Sequence, residues 1–460
     1  MSQNSLSRRA FLGRTGAAAA GLAFGGSALA ACSSSSATKT AGGKAVLNVM
    51  IDNVDTDQAF APALKAFQAA NDCVVKVSKF DQVKLNAALA AGSPPDLVRT
   101  NGAAEMPNII ARGLAENLDP YFAKSQYFKS DDLDPIIGVY KFDGKTQGKG
   151  SIYGIPSDYS QDAMIWYRTD MLDAAKIPHP STTDPMSYDE YLTIGKQLTK
   201  RSGGKTQVYG FDPVWGFDNQ AHLMQMIAQQ GGSLWNDDFT KADFTTSEAR
   251  KALQWYIDWG KARTGPGPLD QESNWDGPVY DADRIAIVSY GYWFSQEILG
   301  QDAGANSAKL QQVSVFAPAP QFGSTRVDAC MSGSGAWIPA KAANKDLAFK
   351  FLEAWRGSGT DGAKAHFAQG GGLPLCLSNR KYLPQNTPFT SATYATQMNN
   401  VKYLSVLKFS PYAAGSAMEA ALNTALTGAV QGGASLDATV SSLQAAVNGI
   451  IDSGKAQLGA

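Results

Sequence analysis

The chain has 460 residues, too many for one small hydrophobic core and enough for two domains. Its 40 basic and 41 acidic residues nearly cancel, with no basic stripe and no polyacidic run, which excludes nucleic acid and ionic polymers as partners. At 18% charged and 10% aromatic residues the surface must carry many neutral polar groups, which suits uncharged, hydroxylated ligands and equally a chain rich in Ala, Gly and Ser.

The first 31 residues read as an address. Ser7-Arg8-Arg9-Ala10-Phe11-Leu12 matches a twin-arginine export signal, and the uncharged apolar residues 15–31 are too few for a comfortable membrane span. Leu29-Ala30-Ala31-Cys32 resembles a lipoprotein cleavage box, which would make Cys32 the lipidated first residue of the mature chain; residues 32–44, rich in Ser and Gly, then form a flexible tether. The expectation is a protein held by lipid at the outer face of the cell membrane. Losing Arg8, Arg9 and Arg14 with the signal leaves 37 basic against 41 acidic residues, a net −4. Beyond Cys32 only Cys73, Cys330 and Cys376 remain, an odd set that allows one disulfide and one free thiol, or buried thiols throughout.

Residues 45–51 predict a first strand, with Asp52-Asn53-Val54-Asp55 as the loop at its carboxyl end, and Phe60, Leu64 and Phe67 follow at helical spacing. A strand over 73–80 and a helix over 82–91 come next. Pro94-Pro95-Asp96-Leu97-Val98 opens a third strand that ends at Arg99-Thr100-Asn101-Gly102. This alternation predicts a mostly parallel sheet covered on both faces. Ligands gather outside the carboxyl ends of such strands, so Asp52, Asn53, Asn101 and Gly102 are candidate cleft residues; each would serve as well as a turn former or cap.

Residues 150–176 organise the rest. Gly154-Ile155-Pro156 is stiff and donor-poor, hence extended; Ala163-Met-Ile-Trp-Tyr167 is a short apolar strand; helical spacing begins at Asp170. Between them Ser157-Asp158-Tyr159-Ser160-Gln161-Asp162 is a polar and aromatic cluster suited to a cleft lip, with Asp158, Tyr159 and Gln161 as candidate ligand contacts. Ser187-Tyr-Asp-Glu190 fits a capping box before Tyr191, Ile194 and Leu198, and another helix ends near Gly231-Gly232. Trp255 and Trp259, four apart within 249–261, read as core. Trp275 and Trp215 sit in loop-like settings and are candidate stacking residues. A strand over 284–289 empties into Tyr290-Gly291-Tyr292-Trp293-Phe294, a strand over 312–318 follows, and residues 327–337 carry the chain through Met331-Ser332-Gly333-Ser334-Gly335 back toward the first domain. Asn344 is placed to cap a helix reaching Arg356, with Phe349, Leu352 and Trp355 in the core, and Gly370-Gly-Gly-Leu-Pro374 makes a tight loop. The last helix carries Leu436, Val440, Leu443, Val447 and Ile450 as a stripe that should dock on the second domain.

Tyr153-Gly-Ile-Pro156 leading to Tyr167-Arg-Thr-Asp-Met-Leu172 occurs in fixed order with Pro94-Pro95-Asp96, Ser187 to Tyr191, Tyr290-Gly-Tyr-Trp293, Gly333-Ser334-Gly335 and Gly370 to Pro374. In that order and spacing, nearly all of the mature chain resembles the extracellular sugar-binding proteins of ABC importers, the maltose-binding-protein-like group. The resemblance implies an α/β periplasmic-binding-protein (type II) fold with two lobes, residues 45–157 with 332–375 and 158–331 with 376–460, joined by a hinge of three crossings. It implies a monomer that closes on a mono- or oligosaccharide and delivers it to a permease; the chain lacks an ATPase signature, so a separate ATPase subunit is expected. It also makes Trp293, or Tyr292 if the register shifts by one, the stacking platform, adds Ser332 and Gly333 to the cleft, and sets Cys330 and Cys376 near the crossings as the cysteine pair, with buried free thiols as the equal alternative.

A sugar presents C–H faces and a rim of hydroxyls, so a receptor needs aromatic planes and fixed Asp, Asn or Gln side chains. Catalytic signals are poorer: His179, His222 and His366 are the only histidines, none at a metal-ligand spacing, and no nucleophile elbow, P-loop or dinucleotide fingerprint occurs. No cofactor, metal or enzymatic activity is therefore expected. Asp158 with Asp162, or Asp276 with Asp281, keeps a secreted carbohydrate-active hydrolase as the alternative. A receptor for another small polar solute is the second alternative, with a phosphate ester disfavoured by the lack of a basic cluster.

Overall fold

The computed structural model describes residues 39–40, 42–51, 60–100, 102–213, 219–272, 275–300, 306–330 and 335–459. The export and lipid segment through Cys32, and Asp52, Asn53, Asn101, Trp215, Ser332 and Gly333, lie outside these residues. Among the described residues the strands are β1 (Ala45–Met50), β2 (Cys73–Ser78), β3 (Leu97–Thr100), β4 (Lys141–Phe142), β5 (Ser151–Ile152), β6 (Ile155–Pro156), β7 (Ile165–Arg168), β8 (Lys200–Ser202), β9 (Lys205–Asp212), β10 (Ile285–Ser289), β11 (Ser314–Ala317), β12 (Asp328–Cys330), β13 (Gly335–Trp337) and β14 (Leu404–Val406). They form two five-stranded sheets, ordered β2-β1-β3-β13-β6 and β11-β7-β10-β9-β8, and two small pairs, β4 with β5 and β12 with β14. Each large sheet is the centre of one lobe of a two-lobe α/β fold.

In the first sheet β1 runs parallel to β2 and β3, and β13 lies antiparallel between β3 and β6. The buried Asp96 explains the Pro-Pro-Asp turn: its carboxylate accepts from the Asn48 amide at 2.8 Å and the Asn344 amide at 2.9 Å, pinning β3's start to β1 and to the helix Lys345–Arg356. Asn344 is thus not a side-chain cap; its amide group donates to Val46 O at 3.0 Å instead. That helix buries Phe351 against Phe60 and Phe67, with ring centroids 5.8 and 5.4 Å away in edge-to-face contact.

In the second sheet β9 and β10 are parallel, while β7 is antiparallel to both β10 and β11. The Tyr-Arg-Thr-Asp motif closes β7: the buried Arg168 guanidinium reaches both Asp170 oxygens, at 3.0 and 2.8 Å, and donates to Tyr280 O at 3.2 Å. Ser187 and Glu190 form the expected capping box on the helix Tyr188–Leu198. The strand expected from 312 starts at Ser314, because Ser307–Val313 is a helix in which Gln311 bonds back to Ser307 Oγ at 3.0 Å. Residues 327–337 carry two strands, β12 and β13, which belong to different sheets.

The final helix, Leu436–Leu458, packs on Gly415–Gln431 and on Ser247–Ala262 in the second lobe, and Gln444 and Asn448 bond to the backbone of Ala242. Its buried stripe ends on Ile451 rather than Ile450. Steps of four and three keep pace with 3.5 residues per turn, whereas a straight α-helix has 3.6 and drifts past the last position. The Cys330–Cys376 pairing does not form. Cys376 is a buried free thiol lying 3.6 Å from Tyr127 O and 3.9 Å from Arg356 O, and Cys73 is also free and buried.

Asp328 of β12 is buried, and burial pushes its carboxyl up to about 7 against the pull of Arg326 and a hydrogen bond from Gln161. An unfolded chain loses this proton near pH 4, about the ordinary value. From there up to about pH 7 the folded chain holds one more proton, so the stability contributed by this group falls as pH rises through that range. Asp328→Asn should flatten the pH profile, removing up to about 1.4 kcal/mol per pH unit of the decline. Urea midpoints for both proteins between pH 5 and 8 provide the check, and parallel profiles contradict the assignment.

Candidate functional site: the facing strand ends

The carboxyl ends of β1, β2, β3 and β6 and the amino end of β13 share one edge of the first sheet. The carboxyl ends of β9, β10 and β11 and the amino end of β7 share one edge of the second. Residues 157–164 connect Pro156 to Ile165 and so join these two edges directly. Ligand sites form where strands end, because loops there can present side chains and free backbone groups to a crevice.

Two of the residues expected to touch ligand in this crossing serve to hold it. The Tyr159 hydroxyl donates to Asp134 at 2.7 Å and accepts from Arg380 at 3.0 Å, and its backbone pairs with Leu373 in both directions, at 3.0 and 2.8 Å, which ties the crossing to residues 370–375. Gln161 is fully buried: its amide donates to Asp328 at 3.1 Å and to Asn400 O at 2.8 Å, while its oxygen accepts from Gln397 at 2.7 Å.

Asp158, Ser160 and Asp162 lie between these anchors. Burial works to raise the Asp158 carboxyl, but His366 at 3.7 Å, together with the charges of Arg356 and Arg99, holds it below the usual range. Burial and the neighbouring Asp158 push Asp162 up to about 7, despite hydrogen bonds from Ser160 at 2.8 Å and from Trp293. Gly291 packs directly on this pair: a Cβ there would stand 2.1 Å from Ser160 Oγ, so only glycine fits. On the other side Gly372, with φ of 85°, leans on Asp158, where a Cβ would approach Asp158 Cβ to 2.9 Å.

Trp275, Tyr290 and Trp293 form an aromatic wall next to Asp162. Tyr290 and Trp293 are 5.1 Å apart, and Trp275 lies 6.1 Å from Tyr290 and 6.4 Å from Trp293. Trp275 is 44% exposed and Trp293 half-buried, so both offer surface to a ligand. Tyr292 is 1% exposed, edge-on to Phe316 in the core. The alternation argument does not apply to it, because residues 292–294 form a 3-10 turn and not a continuation of β10. Trp255, Trp259 and Trp355 are all buried.

Sequence reasoning left Asp212 out of the site and weighed Asp276 only as a hydrolytic acid. Asp212 ends β9, Asp276 follows Trp275, and both are 4% exposed. Burial pushes Asp276 up to about 6, opposed by hydrogen bonds shared with the Asp212 and Tyr290 side chains and reinforced by the Glu272 charge. Its Oδ2 is buried without a hydrogen-bond partner. Trp-Asp-Gly after a loop was the available signal, since it sets an acid beside an exposed ring. Among the described residues no group of three or more His, Cys, Asp or Glu is placed to hold a metal, and no helix is long and apolar enough to cross a membrane.

Two sheets whose strand ends are joined through residues 157–164, with an aromatic wall beside that crossing, match the two-lobe fold of solute-binding proteins. Residues 63–381 match the bacterial extracellular solute-binding proteins, and the chain belongs to that family. A mannitol-binding protein of Pseudomonas aeruginosa is 25% identical over 239 residues, 51% of this chain and 50% of that protein, so the match spans about half the length of this curated relative. Among solved structures, an ABC substrate-binding protein of Listeria monocytogenes in complex with cycloalternan is 19% identical with a TM-score of 0.70, covering 90% of this chain and 99% of that one. An ABC transporter solute-binding protein of Thermotoga lettingae bound with α-D-tagatose is also 19% identical, with a TM-score of 0.71, covering 88% of this chain and 99% of that one. These relatives are binding proteins and give no support to the hydrolase alternative.

The two kinds of tryptophan should separate in stability. Trp259→Ala empties a fully buried site and is expected to cost about 3–5 kcal/mol, whereas Trp275→Ala should cost less than about 1 kcal/mol. Urea denaturation of both variants checks this, and a Trp275→Ala loss as large as that of Trp259→Ala would place the ring in the core.

Proposed function

We propose that the protein captures a neutral, hydroxylated solute, a mono- or oligosaccharide or a polyol, by closing its two lobes, and passes it to an ABC permease driven by a separate ATPase subunit. The observation that carries this reading is the wall of Trp275, Tyr290 and Trp293 set beside Asp158, Ser160 and Asp162 at the facing strand ends. Aromatic planes take the C–H face of a sugar, and the carboxyls and hydroxyl take its rim. Asp52, Asn53, Asn101, Trp215, Ser332 and Gly333 are proposed as further contacts from their places in sequence, after β1, β3 and β9 and before β13. The relatives with mannitol, cycloalternan and tagatose in their names support the ligand class.

One lobe is proposed to comprise residues 45–157 and 332–375, the other 158–331 and 376–460. Leu377–Tyr382 is tied back to the first lobe, since the Leu377 amide donates to Asp132 O at 2.7 Å. Closure must favour the liganded state by roughly 3–5 kcal/mol to largely reverse the open and closed populations. A monomer is proposed, anchored outside the cell through Cys32 by the lipoprotein reading of Leu29 to Cys32 and exported through Arg8-Arg9.

A thermal-shift screen of sugars and polyols identifies the ligand, since binding at 100 times the dissociation constant adds about 2.7 kcal/mol. With that ligand, Trp293→Ala should weaken binding in calorimetry by about 1–3 kcal/mol, a range taken from base-on-aromatic stacking. Unchanged affinity moves the platform elsewhere, and no response to any neutral hydroxylated solute removes the reading. Separately, Cys32→Ala should shift the protein from the membrane fraction to the soluble fraction with ligand affinity unchanged; a processed variant that stays on the membrane contradicts the lipid anchor.

A further inference from the structure

Two carboxyls that hydrogen-bond to each other need a proton between them, and Asp212 and Asp276 are such a pair, both 4% exposed. They stand at the ligand edge, Asp212 at the carboxyl end of β9 and Asp276 directly after the half-exposed Trp275. Asp276 Oδ2 is the second observation: a buried carboxyl oxygen with no partner, beside the aromatic wall, is a place for a ligand hydroxyl.

Among the described residues, the groups that act on the Asp276 carboxyl include no cation. Glu272 adds a like charge and takes the Arg284 guanidinium at 2.7 Å. Tyr290, after β10, bonds to Asp276; Tyr191, on the helix Tyr188–Leu198, has its hydroxyl 3.2 Å from Ser289 Oγ and feels both acids. Burial pushes His222, hydrogen-bonded to Pro213, down to about 4, so it stays neutral above pH 5. A solute laid over Trp275 displaces water from the pair and leaves protonation as the available neutralisation.

We infer that Asp212 and Asp276 form a hydroxyl subsite of the proposed cleft, and that a neutral polyol or sugar seated there binds together with a proton. The inference rests on the ligand class proposed above. The ligand makes or accepts a hydrogen bond at Asp276 Oδ2, no covalent bond changes, and the proton comes from solvent.

Calorimetry with D-mannitol and with maltotriose at pH 7.5, in phosphate and in Tris, is the test. Uptake approaching one proton should make the apparent enthalpy differ between the buffers, and the dissociation constant should rise by up to tenfold per pH unit above the pair's titration, flattening below pH 5.5. Asp212→Asn, whose amide supplies the missing donor, should abolish the buffer dependence and flatten the profile; Asp276→Asn is the second variant should the first fail to fold. Binding without proton uptake overturns the subsite and leaves the ligand class standing. Uptake undiminished in both variants assigns the proton to another group, Asp162 first, and also overturns it. Failure of both probes to bind at any pH removes the subsite together with the reading on which it rests.

Discussion

A buried amide must find its donors and acceptors locally, and Gln161 finds them on β12, on the end of the helix Pro388–Asn400 and on Gln397. One side chain in the first crossing is thereby bonded to the strand that leads toward the second. Two residues earlier Tyr159 bonds to residues on either side of the proposed third, Leu373 before it and Arg380 after it. The crossings are held as a set, in a knot where an unmade hydrogen bond would cost about 1–3 kcal/mol. Because the knot fixes where residues 157–164 leave one sheet and reach the other, it also fixes which way Asp158, Ser160 and Asp162 stand between them.

The site divides into groups that anchor and groups left with unspent capacity. Tyr159, Gln161 and Arg168 have their polar atoms committed to protein partners. Trp275 keeps nearly half its surface, and Asp276 keeps a buried oxygen without a partner. Such remainder is what a ligand can use, and it gathers at the ends of β9 and β10, where parallel neighbours release their chains into loops.

Much of this was legible in the chain itself. The Ser187 capping box, the apolar strands and the split between core and loop tryptophans follow from local spacing, and local spacing is what periodicity reads. The misreadings have one cause, that a polar side chain's partner is chosen by the fold. Asn344 looks like a cap but is drawn to Asp96, 248 residues away in sequence. Tyr159 and Gln161 look like a cleft lip but their partners lie 25 to 239 residues distant. Asp212 and Asp276 carry no shared motif because their meeting depends on β9 ending beside the turn that Trp275 introduces.

Cys376 sits just past the proposed third crossing, beneath Tyr127 O and Arg356 O, and burial pushes its thiol up to about 12. A thiol that holds its proton so firmly and is covered on every side reacts only when its cover lifts. Its rate of alkylation is therefore a clock for the departure of this crossing from its lobe, read in the native chain without any added label.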